Sequence, residues 1–173
     1  MANDDLEKGG NRWRGNRRKI LLLLKKEPKS HWLLTRLGTT YWQEGKNDLA
    51  TKYIKQALKI QPSCPLALWD YGSALSSARR ERAALGVFRK IIRINVRRIA
   101  FDDCGEGMRW AKSLVNDSRY RAAASSHSLG LKKESRSYFR QHFANRAPGI
   151  PSLYTRRYVM AKCLEAFPDF KIN

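Results

Sequence analysis

A chain of 173 residues suits one domain with a real core or a short repeat array, and 42% hydrophobic content with five Trp means that most of it should fold. The 35 Lys and Arg against 15 Asp and Glu leave a charge of +20, which favours polyanions, acidic protein surfaces or anionic lipid and says nothing of the fold. Cys64, Cys104 and Cys163 are odd in number and far apart, and no secretory signal precedes them. They fit a reducing, cytoplasmic setting as small buried hydrophobes.

Residues 1–15, "MANDDLEKGGNRWRG", carry few apolar side chains, two adjacent glycines and dense charge. They read as a disordered basic arm. An N-terminal helix is expected within 16–29, ending before Pro28, because the residue ahead of proline avoids the helical region. Its apolar run, Ile20 to Leu24, is only five residues long and flanked by Arg17, Arg18, Lys19, Lys25 and Lys26. That is short of the roughly 20 residues a spanning helix needs and reads as one face of a buried helix.

Ser30 can cap the next helix, "HWLLTRLGTTYWQ", with Leu34, Leu37, Gly38 and Tyr41 on one face. Gly45 breaks it. Asn47 or Asp48 can cap a partner helix that runs to about Ile60, and Pro62 closes the unit. Two short helices with a tight turn make an αα-hairpin, which cannot bury its apolar face alone. The chain writes the hairpin again. "LATKYIKQALKIQP" at 49–62 and "AALGVFRKIIRINV" at 83–96 align at a shift of 34. Leu34 maps to Leu68, Gly38 to Gly72, Ala50 to Ala84 and Ile54 to Phe88. Gly38 and Gly72 suit a close helix crossing, with Ala50 and Ala84 as the small residues opposite.

The period and the pattern Leu34, Leu37-Gly38, Tyr41, Ala50, Tyr53-Ile54, Ala57, Pro62 resemble the tetratricopeptide repeat. Residues 65–98 repeat the resemblance at Leu68, Gly72, Leu75, Ala84 and Phe88, and depart from it at Ile91 and Val96. A third match, out of phase, places Gly130 where Gly45 stands. Ala122-Ala123 then take the Leu-Gly place, Ser135 the Ala place and Tyr138-Phe139 the aromatic place. This implies an all-α, short α-solenoid of stacked antiparallel hairpins at 30–149, with units 30–64, 65–98 and 116–149. An extra helix of about 96–115 separates the second and third, or that stretch is a degenerate longer repeat with an irregular join. Residues 151–168 read as a C-terminal capping helix.

No constellation for catalysis or metal binding is legible. His31, His127 and His142 have no nearby Cys, there is no C-x-x-C, and no phosphate-cradling glycine loop occurs. Asp102, Asp103 and Glu106 are the one compact acidic group in the body of the chain; a carboxylate pair for acid–base work or a cation site is the functional reading, and acids near a helix N-terminus or partners for the surrounding arginines are the favoured one. A non-enzymatic protein without cofactor or metal is expected.

The resemblance implies a partner groove lined by the first helix of each hairpin. Carried over, it comprises Trp32, Thr35, Arg36, Thr39, Trp42 and Gln43, then Trp69, Asp70 and Ser73, then Tyr120, Arg121 and His127. Trp, Tyr and Arg often dominate binding energy. Alternatively, Trp32, Trp42 and Trp69 pack against the N-terminal or the extra helix. Some family members clamp a carboxylate with Lys, Asn and Arg. The corresponding places here hold Thr35, Thr39, Asp70, Asp117 and Arg121, of which only Arg121 fits, so chaperone-tail binding is not implied.

The basic residues Arg12, Arg14, Arg17, Arg18, Lys19, Arg79, Arg80, Arg97, Arg98, Arg156 and Arg157 mark polyanion-contact surfaces. The first expectation is an adaptor or complex subunit whose basic faces help it meet an acidic protein or nucleoprotein. The alternative is a non-sequence-specific RNA- or DNA-binding accessory protein, since basic residues with interspersed aromatics suit phosphates and base stacking. A third is a peripheral protein anchored on anionic membrane by "KILLLLKK".

Overall fold

The computed structural model describes the backbone of residues 3–172 and the side chains of 13–172. Among these residues it holds nine α-helices and no strand: α1 Asn3–Lys26, α2 His31–Gln43, α3 Asn47–Ile60, α4 Pro65–Ser77, α5 Glu81–Arg93, α6 Val96–Ala100, α7 Gly107–Ser128, α8 Lys132–Ala144 and α9 Arg156–Ala166. None is long and apolar enough to cross a membrane. The chain divides into two compact units, Met1–Tyr71 and Gly72–Asn173, with the boundary inside α4.

In the first unit α2 and α3 form the first hairpin and α1 packs on α2. Ser30 caps α2, its Oγ accepting from the Leu33 N–H at 3.4 Å. The closest crossing lies at Gly38, where an added Cβ would stand 2.8 Å from Ile54 Cγ1 and 3.1 Å from the Ala50 carbonyl oxygen. Leu34, Leu37, Ala50, Ile54 and Ala57 fill this core. Tyr41 and Tyr53 stack with centroids 5.5 Å apart. The cap of α3 departs from expectation: Lys46 holds the cap position without a side-chain bond, and Asn47 and Asp48 are already in the first turn.

Helix α1 corrects the reading of the N-terminus. It is helical from Asn3, not from about Asn16, and passes through Gly9 and Gly10; Met1 and Ala2 of the expected arm lie outside the described residues. The acidic residues at its start favour a helix N-terminus, which offsets part of the roughly 1 kcal/mol that each glycine costs. The apolar run on α1 is not one face of a buried helix: Leu21, Leu22 and Leu23 are exposed, Leu22 at 54%.

The second unit contains the end of α4 and all of α5 to α9. Gly72 repeats the close crossing, since a Cβ there would lie 2.9 Å from Phe88 Cε1 and 3.2 Å from Val87 Cγ1. The Glu81 carboxylate ties α5 to its neighbours, accepting from Ser76 Oγ at 3.2 Å and from Ser125 Oγ at 2.6 Å. Arg89 and Glu134 join α5 to α8 through a fork of bonds of 2.5–3.0 Å. In the third hairpin, α7 with α8, the buried Ser135 hydroxyl donates to the Ala123 carbonyl at 2.8 Å, so the small residues meet where the pattern put them.

One turn recurs at each hairpin. Gly45 N–H donates to Trp42 O and Lys46 N–H to Tyr41 O, both at 2.9 Å; Arg79 and Arg80 repeat this with Ser76 and Leu75, and Gly130 and Leu131 with His127 and Ser126. This is the glycine-type helix ending in which two crossed bonds satisfy the last carbonyls. It needs a left-handed residue, and φ is 71° at Gly45, 73° at Gly130 and 55° at Arg79.

The extra helix expected over 96–115 is not one helix. α6 ends at Ala100, and α7 begins at Gly107 and runs unbroken into the third hairpin. The break is steric. Gly105 lies so close to α6 that a Cβ would stand 2.5 Å from the Ala100 carbonyl oxygen, and Gly107 has φ +86°. Asp102 accepts from the Cys104 N–H at 3.1 Å, which accounts for one member of the acidic group by a local turn. At the C-terminus Val159, Cys163, Phe167 and Phe170 pack on Tyr120, Phe139 and Phe143. Of the capping helix expected within 151–168, α9 occupies Arg156–Ala166, and Thr155 caps it by accepting from the Tyr158 N–H at 3.1 Å. Residues 152–154 instead bind α7: Asp117 accepts from Ser152 Oγ at 2.5 Å and from the Leu153 N–H at 2.8 Å. All three cysteines are buried, and burial pushes the Cys163 thiol up to about 12.

Candidate functional site

The crossing of α1 over α2 leaves an open pocket of about 320 Å³ in the first unit. Trp13, Lys19 and Ile20 come from α1, and Trp32, Arg36 and Thr39 from α2. Spacings of three and four put the α2 residues on one helical face. Trp32 is 40% exposed, and the Arg36 guanidinium lies 5.5 Å from its ring centroid. Thr39 Oγ1 donates to Asp70 Oδ2 at 2.9 Å. Burial pushes Asp70 up to about 6, against the pull of the Thr39 bond and of Arg36. Among the described residues no acidic side chain lines the pocket itself. It therefore offers indole faces and two cations to a group with an apolar body and negative charge.

Three expected groove residues offer no surface. Thr35 is buried, its hydroxyl donating to the His31 carbonyl at 2.8 Å. Trp69 is 9% exposed, too large an apolar group to leave facing water when the core can take it. Tyr120 is 5% exposed in the aromatic core, 4.4 Å from Tyr154 between centroids. Trp42 is half-buried and Gln43 exposed, as are Ser73 and His127 respectively in the second unit. The Arg121 guanidinium lies 5.4 Å from the Phe88 ring centroid, and the His127 ring is 5.7 Å from Phe167.

Of the basic residues, Arg14, Arg18, Lys19, Arg79, Arg80, Arg97, Arg98, Arg156 and Arg157 are exposed, and the side chain of Arg12 lies outside the described residues. Arg17 is a correction. It pairs with Glu44, donates to Thr40 Oγ1 at 3.4 Å and lies 4.2 Å above the Tyr41 ring, so it fastens α1 to the hairpin. The same contact holds the Glu44 carboxyl below its ordinary range. Sequence reasoning missed Trp13 as a pocket residue, since a residue assigned to a disordered arm has no neighbours to line anything with.

The family model for the tetratricopeptide repeat matches residues 33–64, the stretch folded as α2 and α3. That stretch is a tetratricopeptide repeat. A crystal structure of MamA protein is similar to it at 18% identity, over 82% of this chain and 68% of that one, with a TM-score of 0.61. A further crystal structure of MamA aligns at 18% identity over 82% of this chain and 92% of that one, with a TM-score of 0.45. At such identity the first likeness establishes the fold: an all-α chain of the α-solenoid class. No curated protein sequence matches this chain. The comparisons indicate no catalytic family.

Proposed function

We propose that this protein is a cytoplasmic, non-enzymatic adaptor or complex subunit that seats a segment of an acidic protein in the pocket between α1 and α2. The observation that carries the reading is Trp32, 40% exposed under the Arg36 guanidinium in a pocket that Trp13 and Lys19 complete. An aromatic anchor with a cation beside it is the composition of a binding hot spot, and truncating one costs about 2 kcal/mol or more. The exposed arginines and the charge of +20 would speed encounter with an acidic or nucleoprotein partner. The test is quantitative affinity capture with wild type, Trp32→Ala and Arg36→Gln. Loss of the same captured protein in both variants, with thermal stability unchanged, is the expected result. Equal capture by all three would overturn the assignment of this pocket.

Direct binding of RNA or DNA is the second reading, favoured by the exposed pairs Arg97-Arg98 and Arg156-Arg157. It predicts capture that is abolished by nuclease and insensitive to Trp32→Ala.

A further inference from the structure

A second cavity, of about 510 Å³, lies wholly within the second unit, against α6, α7, α8 and the turn after α8. Lys112, Arg119, Asn145 and Arg146 line it together with apolar residues such as Val115 and Ile150, and among the described residues no acidic side chain does. Lys112 and Arg119 stand seven positions apart on α7, about two turns, and so share a face. Arg146 is held in place from the other side. Its Nη1 donates to the Tyr154 carbonyl at 3.0 Å and lies 3.4 Å from His142 Nε2. His142 Nδ1 is 2.9 Å from the Asn116 carbonyl, and burial pulls the ring's pKa down, so His142 stays neutral and brings no competing charge at pH 7.

Arg119 is the decisive residue. Its Nε is buried and, among the described residues, has no hydrogen-bond partner, and burial alone pulls its pKa down. A desolvated guanidinium N–H without an acceptor is costly, and an anion that meets it removes the cost.

We propose that this cavity is a binding site for a phosphoryl oxyanion, gripped by Arg119, Arg146 and Lys112. Guanidinium forks match the spacing of phosphate oxygens, and a doubly charged group answers three cations better than a single carboxylate does. The Asn145 amide is held by the Gln141 carbonyl at 2.8 Å, at the rim of the same turn. The apolar walls leave room for the organic body of a phosphate monoester. Free phosphate and a monoester share the chemistry, and the test separates them.

Thermal unfolding of the full chain would be followed with inorganic phosphate, phenyl phosphate, acetate or chloride added at matched ionic strength. Saturable stabilisation by phosphate is expected, because a ligand that binds only the folded state raises its melting temperature. A tighter effect of phenyl phosphate would assign a monoester; an equal or weaker one would assign phosphate itself. Arg119→Met should raise the melting temperature in anion-free buffer, by removing a half-buried guanidinium whose Nε lacks an acceptor, and should weaken phosphate binding by roughly tenfold or more. The exposed Lys112→Gln should weaken binding several-fold without changing the anion-free melting temperature. Arg157→Gln, on an exposed residue outside the cavity, should leave phosphate binding unchanged. Equal stabilisation by acetate or chloride, or an Arg157→Gln loss as large as that of Arg119→Met, would overturn the proposal.

Discussion

Arg79 holds the position that Gly45 and Gly130 hold in the other hairpin turns, with the same crossed hydrogen bonds and φ 55°. A side chain in the left-handed region costs roughly 1–2 kcal/mol. Arg79→Gly removes that cost, and it adds about 0.4–1 kcal/mol of chain freedom to the unfolded state. The net expectation is stabilisation of about 0.5–1 kcal/mol. Gly45→Ala reverses both effects and should destabilise by a similar amount. The assay is urea unfolding: Arg79→Gly should raise the midpoint, and Gly45→Ala lower it, with the slope unchanged. A neutral or destabilising Arg79→Gly at unchanged slope would show that the turn does not depend on backbone handedness, and the equivalence of the three turns would fail.

Two glycines of the same hairpin should answer oppositely to alanine. Gly86→Ala, with nothing within 4 Å of the new Cβ, should gain up to about 1 kcal/mol in helix propensity, whereas Gly72→Ala meets Phe88 at 2.9 Å and should lose about 1–3 kcal/mol; urea midpoints decide the signs. Gly105→Ala meets backbone at 2.5 Å and should cost more than Gly72→Ala, read as a larger fall in melting temperature, because a carbonyl cannot turn aside as a ring can. Asp70 sets a pH dependence. Its folded pKa of about 6 lies above the unfolded 3.8, so the folded state binds the proton more tightly and stability falls as pH rises through that window. Asp70→Asn, which keeps an acceptor for Thr39, should be more stable than wild type at pH 7 by on the order of 2–3 kcal/mol, with the difference vanishing below about pH 4 in chemical denaturation.

The hairpins were legible because close packing leaves a sequence mark. Gly38, Ala50, Gly72 and the Ser30 cap are small or polar residues demanded by local geometry, and periodicity exposes them. Arg79 was not legible: an arginine carries no sign that its backbone is left-handed, although its register with Gly45 would have shown the position. The break between α6 and α7 was hidden for a related reason. Gly105 and Gly107 look like weak points of one helix until the Ala100 carbonyl is seen against the first of them. Periodicity names a face but not its occupant, so Trp69 and Tyr120 read as groove residues while Trp69 is buried and Tyr120 lies under Tyr154. Arg17 looked free until Glu44 and Tyr41, far along the chain, were seen beside it. The cavity around Arg119 joins a helix face to a turn nearly thirty residues on, a meeting no local pattern encodes.

The measurement that tests the adaptor account most directly is fluorescence anisotropy of labelled single-stranded RNA and duplex DNA with the purified protein, with salt raised to about 0.15 M, where the Debye length is roughly 8 Å. The account predicts binding at low salt that is lost at the top of that range, leaving the charge to serve an acidic protein. Tight binding that survives there, with a log–log slope of several phosphates, would make nucleic acid the ligand and contradict it.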